Sequence, residues 1–424
     1  MLTVPFIRAN REKVEVGLAK RGYREFGFLD DIIALDDQRK QTQTSMDAVL
    51  AEINQLSKAI GQMYKDGRQQ EAQEAKEKVA SLKEQTQVLQ EKQRIQLVTL
   101  DEHLLGIPNV PCYLVPDGQS EEDNELYEAW RDVLPELHEG ALPHWELAQK
   151  YGLIDFETGS KVSGSGFVMY TGQGAKLERA LINFFLDEAT AAGFMEVIPP
   201  LLVNEDTARA TGQLPDKEGQ MYYCEKDDLY LIPTAEVPIT NIYRDRIVSE
   251  EDLPIRLAGY TPCFRREAGS YGADVKGLNR LHQFDKVEIV QIAHPDHSYD
   301  VLDQMVDHVR TLLDKLELPY RILRLCGGDL GYTSALTYDF EVYSAAQGRW
   351  LEVSSVSNFE TYQSNRLKLR YKDAKGKKHL AHTLNGSALA LARIVASLLE
   401  NHQTPDGIRI PKVLVPYTRF ESIT

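Results

Sequence analysis

Apolar residues at Met46, Val49, Ile53, Leu56, Ile60 and Met63 recur at alternating three- and four-residue intervals on a polar background. The same spacing resumes at Ala72, Ala75, Val79, Leu82, Thr86 and Leu89, after Lys65-Asp66-Gly67. These are the seams of two helices, with Gly67 marking the turn between them. The pattern predicts a long antiparallel α-helical hairpin that ends near Leu104-Leu105-Gly106-Ile107-Pro108. At ~1.5 Å per residue, each helix reaches some tens of ångströms. Residues 1 to about 26 form a shorter helical or mixed segment. Spacing alone reads as a dimerising coiled coil or a spacer.

The polar, acidic stretch 116–125 reads as a linker, giving an N-terminal arm at 1–115 and a larger domain at 126–424. Within that domain, residues 177–186 carry apolar side chains at helical spacing, and Ala192-Gly193 supplies a stop. Residues 193–202 then read as a strand bounded by prolines. Short strands and turns fill 220–292, and residues 298–316 read as a helix. From Ala388 to Leu399 only Arg393 and Ser397 interrupt the apolar residues, which predicts a helix buried nearly all round. The expected fold is α+β, an antiparallel sheet flanked by helices and preceded by the hairpin.

One stretch, residues 261–292, carries an unusual pattern. In its first strand, alternation puts Cys263, Arg265 and Glu267 on one face. A loop with Gly269, Gly272 and Gly277 follows, and a returning strand shows His282, Phe284, Lys286 and Glu288 on one face. Val287 and Ile289 point the other way. Two readings stand: a half-solvated hairpin, or a sheet whose charged face meets a ligand.

Composition narrows the function classes. The chain has 424 residues, 42% hydrophobic and 26% charged, which suits two or three globular domains. No apolar run is long enough to span a bilayer and the start lacks a secretory signal, so no membrane partner and a cytoplasmic location are expected. Cys112, Cys224, Cys263 and Cys326 never form a C-x-x-C pair, which argues against zinc and against a disulfide framework. The net charge of −16 does not advertise general phosphate attraction, so any RNA contact must be a local patch. Arg39, Lys40, Lys58, Lys65 and Arg68 around the hairpin tip are one such local excess. Neither G-x-G-x-x-G nor a P-loop pattern occurs.

FRREAG at 264–269 followed by RLHQFDKVE at 280–288 resembles the second signature of the class II aminoacyl-tRNA synthetases, in the form that seryl-tRNA synthetases use. The helix, strand and Pro199-Pro200 resemble the first signature, and 384–399 the third; the likeness runs along essentially the whole chain. It implies activation of L-serine with ATP and Mg²⁺, transfer to tRNA-Ser (and tRNA-Sec where the host has one), a homodimer, and a hairpin arm that grips tRNA by shape.

Residue by residue, the resemblance implies the following roles. Arg265 clamps the α-phosphate, as a guanidinium bridging two oxygens can. Glu267 accepts from the adenine amine and Phe284 stacks on the ring. Arg280 and, with a weaker claim, Arg266 lie near the phosphates, and Arg393 meets the γ-phosphate. Glu352 and Ser355 hold Mg²⁺, with Val353 and Ser354 beside the nucleotide. Strict alternation pairs Glu352 with Ser354 and leaves Ser355 on the opposite face. Thr234, Ala235, Glu236, Glu288, Asn385 and Ser387, together with Arg265, surround serine.

Blander readings stand beside these. Arg393 serves equally as half of a structural ion pair, and Asn385 and Ser387 as helix N-caps. At the level of the whole chain, the alternatives are a relative that loads a carrier protein, which the hairpin disfavours, and an inert structural paralogue.

Overall fold

The computed structural model describes all of the 424 residues except 217–218 and 268–275. Gly269 and Gly272 of the expected loop therefore lie outside the described residues. The chain forms two compact units, one of Met1–Ala19 and Tyr23–Pro108, the other of Lys20–Gly22 and Asn109–Thr424.

In the first unit, α1 (Gly27–Lys65) and α2 (Gln69–Leu105) form the expected hairpin. Gly67 turns it with φ +76°, a conformation glycine adopts without a Cβ penalty. Every seam residue is buried or half-buried, Val49, Ala72, Ala75, Leu82 and Thr86 fully so. Lys78 pairs with Glu52 and Gln93 with Gln43, which fixes the antiparallel register. Of the five basic residues near the tip, Arg39 and Lys40 pair with Asp36 and Arg68 with Glu71. Lys58 and Lys65 have no carboxylate partner among the described residues.

The second unit is built on one sheet. Its strands are β1 (Glu125–Glu128), β2 (Met195–Glu196), β3 (Ile255–Phe264), β4 (Gln283–Ala293), β5 (Tyr320–Arg324), β6 (Leu336–Ser344), β7 (Arg349–Asn358) and β8 (His382–Ala390). Their spatial order is β1-β5-β6-β7-β8-β4-β3-β2, antiparallel throughout except that β2 runs parallel to β3. The helices that matter below are α3 (His144–Lys150), α4 (Gly172–Ala191), α5 (Glu236–Asn241), α6 (Ser298–Lys315) and α7 (Leu391–Asn401). α4, α6 and α7 supply Leu181, Phe185, Met305, Val309, Ile394 and Leu398 to a core shared with Val287, Ile289 and Val356 of the sheet.

Several boundaries differ from the pattern. Residues 116–125 are not a free linker: Pro116 and Gly118 carbonyls accept from Gly327 and Gly328, Asn124 accepts from Cys326, and Glu125 already belongs to β1. The polar composition reflects an exposed surface rather than an unattached segment. The strand expected over 193–202 is broken at Pro199-Pro200, which cannot donate to a ladder, leaving Met195–Glu196 before them and a separate short strand, Leu202–Val203, after them. The helix expected over 388–399 starts only at Leu391, so Asn385, Ser387 and Ala388 lie in β8 and the N-cap reading of Asn385 and Ser387 falls. An all-apolar run does not distinguish a buried strand from a buried helix, and here it holds one after the other.

Candidate active site

The strand pair β3–β4 places Phe284 opposite Cys263 and Glu288 opposite Gly259, while β8 places Ser387 opposite Glu288 on the other side. Glu288, with no exposed surface, is the hub of a buried polar network. Its Oε1 accepts from Thr234 Oγ1 at 2.8 Å and from Ser387 Oγ at 3.3 Å, and its Oε2 from Asn385 Nδ2 at 2.8 Å. Lys286 forms an ion pair with Oε1. Four convergent donors satisfy a charge that would otherwise be costly to bury.

A second carboxylate stands nearby on α5. Glu236 Oε1 accepts from Gln363 Nε2 at 2.7 Å, and Gln363 Oε1 in turn accepts from Thr383 Oγ1 at 2.9 Å. Burial pushes the Glu236 carboxyl up to about 7, opposed by the Gln363 bond and reinforced by the charge of Glu288. Ala235 beside it is fully buried against Ile239, Leu257 and Val290.

Arg265 continues the ladder by one bond, from its N–H to the His282 carbonyl at 2.9 Å. Its guanidinium lies 5.3 Å from the Phe284 ring centre, and its Nε donates to the Pro233 carbonyl at 3.3 Å. The alternation that grouped Arg265 with Glu267 stops at Phe264, the last strand residue. Glu267 adopts φ +36° and meets Arg280 at 3.1 Å. Arg266 turns aside, over the Tyr222 ring at 5.8 Å.

Arg393 is not buried all round, as the apolar run implied; its side chain keeps 27% exposure at the start of α7. It donates to the Asn279 carbonyl at 3.0 Å and to the Glu352 carbonyl at 2.6 Å, with the Glu352 carboxylate 3.7 Å away. The ion-pair reading and the ligand reading both fit a group anchored through backbone carbonyls with part of its fork open.

β7 resolves the tension over Ser355. The register slips between the Phe340–Ser354 and Glu341–Glu352 pairs, leaving Val353 extra. Such a bulge inserts one residue and returns Glu352 and Ser355 to one side of the sheet. Val353 sinks into the core, and Ser354 Oγ donates to the Ser387 carbonyl at 2.6 Å. Opposite Ser355 stands Asp339, whose Oδ1 is buried without a partner. Burial first, and the charge of Glu352 second, push the Asp339 carboxyl well above the usual range. An orphaned buried oxygen beside a second carboxylate and a hydroxyl is a donor set that fits a hard cation. Among the described residues no group of three or more His, Cys, Asp or Glu could hold a metal by itself.

The structure thus brings Thr234, Glu288, Asn385 and Ser387 into direct contact, with Arg265 and Phe284 on the same strand pair. Alternation set Lys286 on the face of Phe284 and Glu288 but gave it no role, and Gln363, Thr383, Asp339 and Asn279 were not singled out from the sequence. The ion pair of Lys286 with Glu288 follows from that shared face. For Gln363 and Asp339 it was not, because their roles come from contacts with distant segments.

Comparison with known proteins places this geometry in context. Residues 222–402 match the family described as the tRNA synthetase class II core domain (G, H, P, S and T), and residues 1–111 match the seryl-tRNA synthetase N-terminal domain. The chain is 48% identical to the serine–tRNA ligase of Salinibacter ruber, over 100% of this chain and 99% of that protein. It is 46% identical to the serine–tRNA ligase of Akkermansia muciniphila, over 98% and 97%. Among solved structures, the seryl-tRNA synthetase of Pyrococcus horikoshii complexed with ATP superposes with a TM-score of 0.88 at 34% identity, covering 100% of this chain and 99% of that one.

Proposed function

The chain belongs to the seryl-tRNA synthetases, and from that premise we propose how its pocket performs the serine–tRNA ligase reaction. The observation that carries the assignment of roles is the four-donor network on Glu288, next to the Arg265–Phe284 pair on the same strands.

Serine lies against Glu288, Glu236, Thr234, Asn385 and Ser387. Its hydroxyl joins the Glu288 network, so alanine would leave buried polar groups unpaired, and its ammonium faces Glu236. ATP lies with adenine on Phe284, its exocyclic amine toward Glu267, and its phosphates toward Arg265, Arg280 and Arg393. A serine carboxylate oxygen then bonds to the α-phosphorus as the bond to pyrophosphate breaks. Arg265 holds the in-line geometry and faces the charge that develops at the α-phosphoryl group, which is where preorganised cations lower a barrier. Glu352, Ser355 and Asp339 would hold Mg²⁺, which supplies positive charge to the phosphate oxygens. In the second half of the reaction a terminal ribose hydroxyl of tRNA attacks the seryl carbonyl and AMP leaves.

Three further readings belong to the same proposal. The hairpin, with Lys58 and Lys65 free of carboxylate partners among the described residues, binds tRNA-Ser, and tRNA-Sec where one exists. The edge strand β2 carries exposed Met195 and leads into Ile198, which is 90% exposed, and this suits a homodimer contact. Four unpaired cysteines suit a reducing cytoplasm.

Amino-acid-dependent pyrophosphate exchange tests the core of the proposal. Exchange with serine, and none with alanine, threonine or glycine, is expected. Loss of specificity for serine in wild type would count against the assignment of Glu288.

A further inference from the structure

A fully buried histidine on α3, outside the site described above, ties the core to the loop that returns into β4. His144 and Glu400 both have side chains with no exposed surface. Glu400 Oε1 accepts from the His144 backbone N–H at 3.0 Å and lies 2.7 Å from Nδ1. The other ring nitrogen, Nε2, accepts from the Leu278 backbone N–H at 2.9 Å. A nitrogen that accepts from a backbone amide carries no proton, so the proton sits on Nδ1 and points at the carboxylate. Ser344 closes the remaining side of Glu400 through Oε2.

This anchor grips the loop at close quarters. A Cβ on Gly277, which has φ +68°, would lie 2.2 Å from His144 Nε2, so the chain passes the imidazole with no room for a side chain. One residue beyond Leu278, the Asn279 carbonyl accepts Arg393 Nε at 3.0 Å. The Asn279 side chain donates to Gln347 at 3.2 Å, and Gln347 donates back to Glu400 Oε1 at 3.3 Å. Arg280 follows and pairs with Glu267. Glu400 and Arg393 themselves sit on the same helix, α7.

We infer that His144 is a positioning residue for the triphosphate subsite: by accepting from Leu278 it holds the 277–280 turn, and through that turn Asn279, Arg280 and Arg393. The inference rests on the assignment of Arg280 and Arg393 to the ATP phosphates. The imidazole touches neither substrate. It works as a rigid spacer whose one free lone pair fixes a backbone amide, and a turn displaced by about an ångström costs on the order of a hundredfold in a positioned reaction.

Pyrophosphate exchange with the full chain tests it, with ATP and serine varied separately. His144→Leu keeps bulk and removes the acceptor; His144→Gln keeps an acceptor where Nε2 stood. The expected result is an ATP KM raised about tenfold or more in His144→Leu with serine KM within about twofold, and recovery to within about threefold in His144→Gln. An unchanged ATP KM in His144→Leu overturns the inference, as does a loss of activity that merely follows the folded fraction with both KM values intact. If His144→Leu fails to fold, Gly277→Ala attacks the contact from the loop side. It must raise the ATP KM in the same selective way, and an unchanged value overturns the inference. Arg393→Ala separates the two layers: an unaltered ATP KM there defeats the phosphate assignment itself.

Discussion

Gln363 Nε2 donates to Glu236 Oε1 at 2.7 Å, and that one bond leaves the carboxylate otherwise enclosed. Burial raises the Glu236 carboxyl from an ordinary 4.5 to about 7, so the folded protein keeps this proton longer than the unfolded chain. The stability it contributes is complete below pH 4.5 and is lost as pH rises through about 7. A serine ammonium facing the group reverses the preference and expels the proton. Calorimetric titration of serine near pH 6, in two buffers of different ionisation heat, is expected to show proton release. Glu236→Gln should abolish the difference between buffers; equal heats in wild type would sink this prediction.

Lys286 and Glu288 form a pair whose side chains are 8% and 0% exposed. Lys286→Met strands the charge of Glu288 and is expected to cost ~3 kcal/mol in urea unfolding, the low end of the range because Thr234, Asn385 and Ser387 still donate. The double variant Lys286→Met with Glu288→Gln should regain most of that stability while serine-dependent exchange stays absent. Equal stability of the single and double variants would refute the pairing argument.

Asp339 is held well above the ordinary 3.8 by burial and by Glu352. Its ionised form is therefore disfavoured without a cation, and stability from this group falls as pH rises through its folded value. Asp339→Asn is expected to raise the melting temperature of magnesium-free protein and to shrink the further stabilisation that magnesium chloride gives. The magnesium concentration for half-maximal exchange should rise severalfold, with serine KM unchanged. A variant with wild-type magnesium dependence would remove Asp339 from the donor set.

Phe284 carries the Arg265 guanidinium on one side of its ring and, in the proposed complex, adenine. Phe284→Leu keeps the apolar volume but loses the flat face, worth ~1–3 kcal/mol per stacked base. The ATP KM should rise about tenfold or more, with serine KM little changed. Parallel rises in both would point to a collapsed pocket instead.

How much of this was legible in sequence depends on how far each relation reaches. The hairpin was readable because its seam repeats locally and every seam residue meets a partner across one turn. The β3–β4 pair was readable for the same reason, and alternation placed Phe284, Lys286 and Glu288 together correctly. It failed at Glu267, which lies past the end of the strand at Phe264 and adopts φ +36°, and at Ser355, where the slip at Val353 changes the face. Periodicity assumes a regular backbone, and these sites are where the backbone departs from it. The apolar run 388–399 hid a strand-to-helix change because apolar residues at nearly every position erase both periods. Gln363 and Asp339 carried no local signature, since each matters only through residues brought close by the fold.

That strand-to-helix change has a mechanical meaning. β8 passes into α7 with no intervening loop, only Leu389 at φ +88° marking the junction. Asn385 and Ser387 ride on the strand, and Arg393 on the first turn of the helix. The parts assigned to serine and the part assigned to the far phosphate of ATP are thus one stiff beam. Whichever substrate docks first settles the beam for the other, and by reciprocity each should sharpen the other's affinity by the same factor.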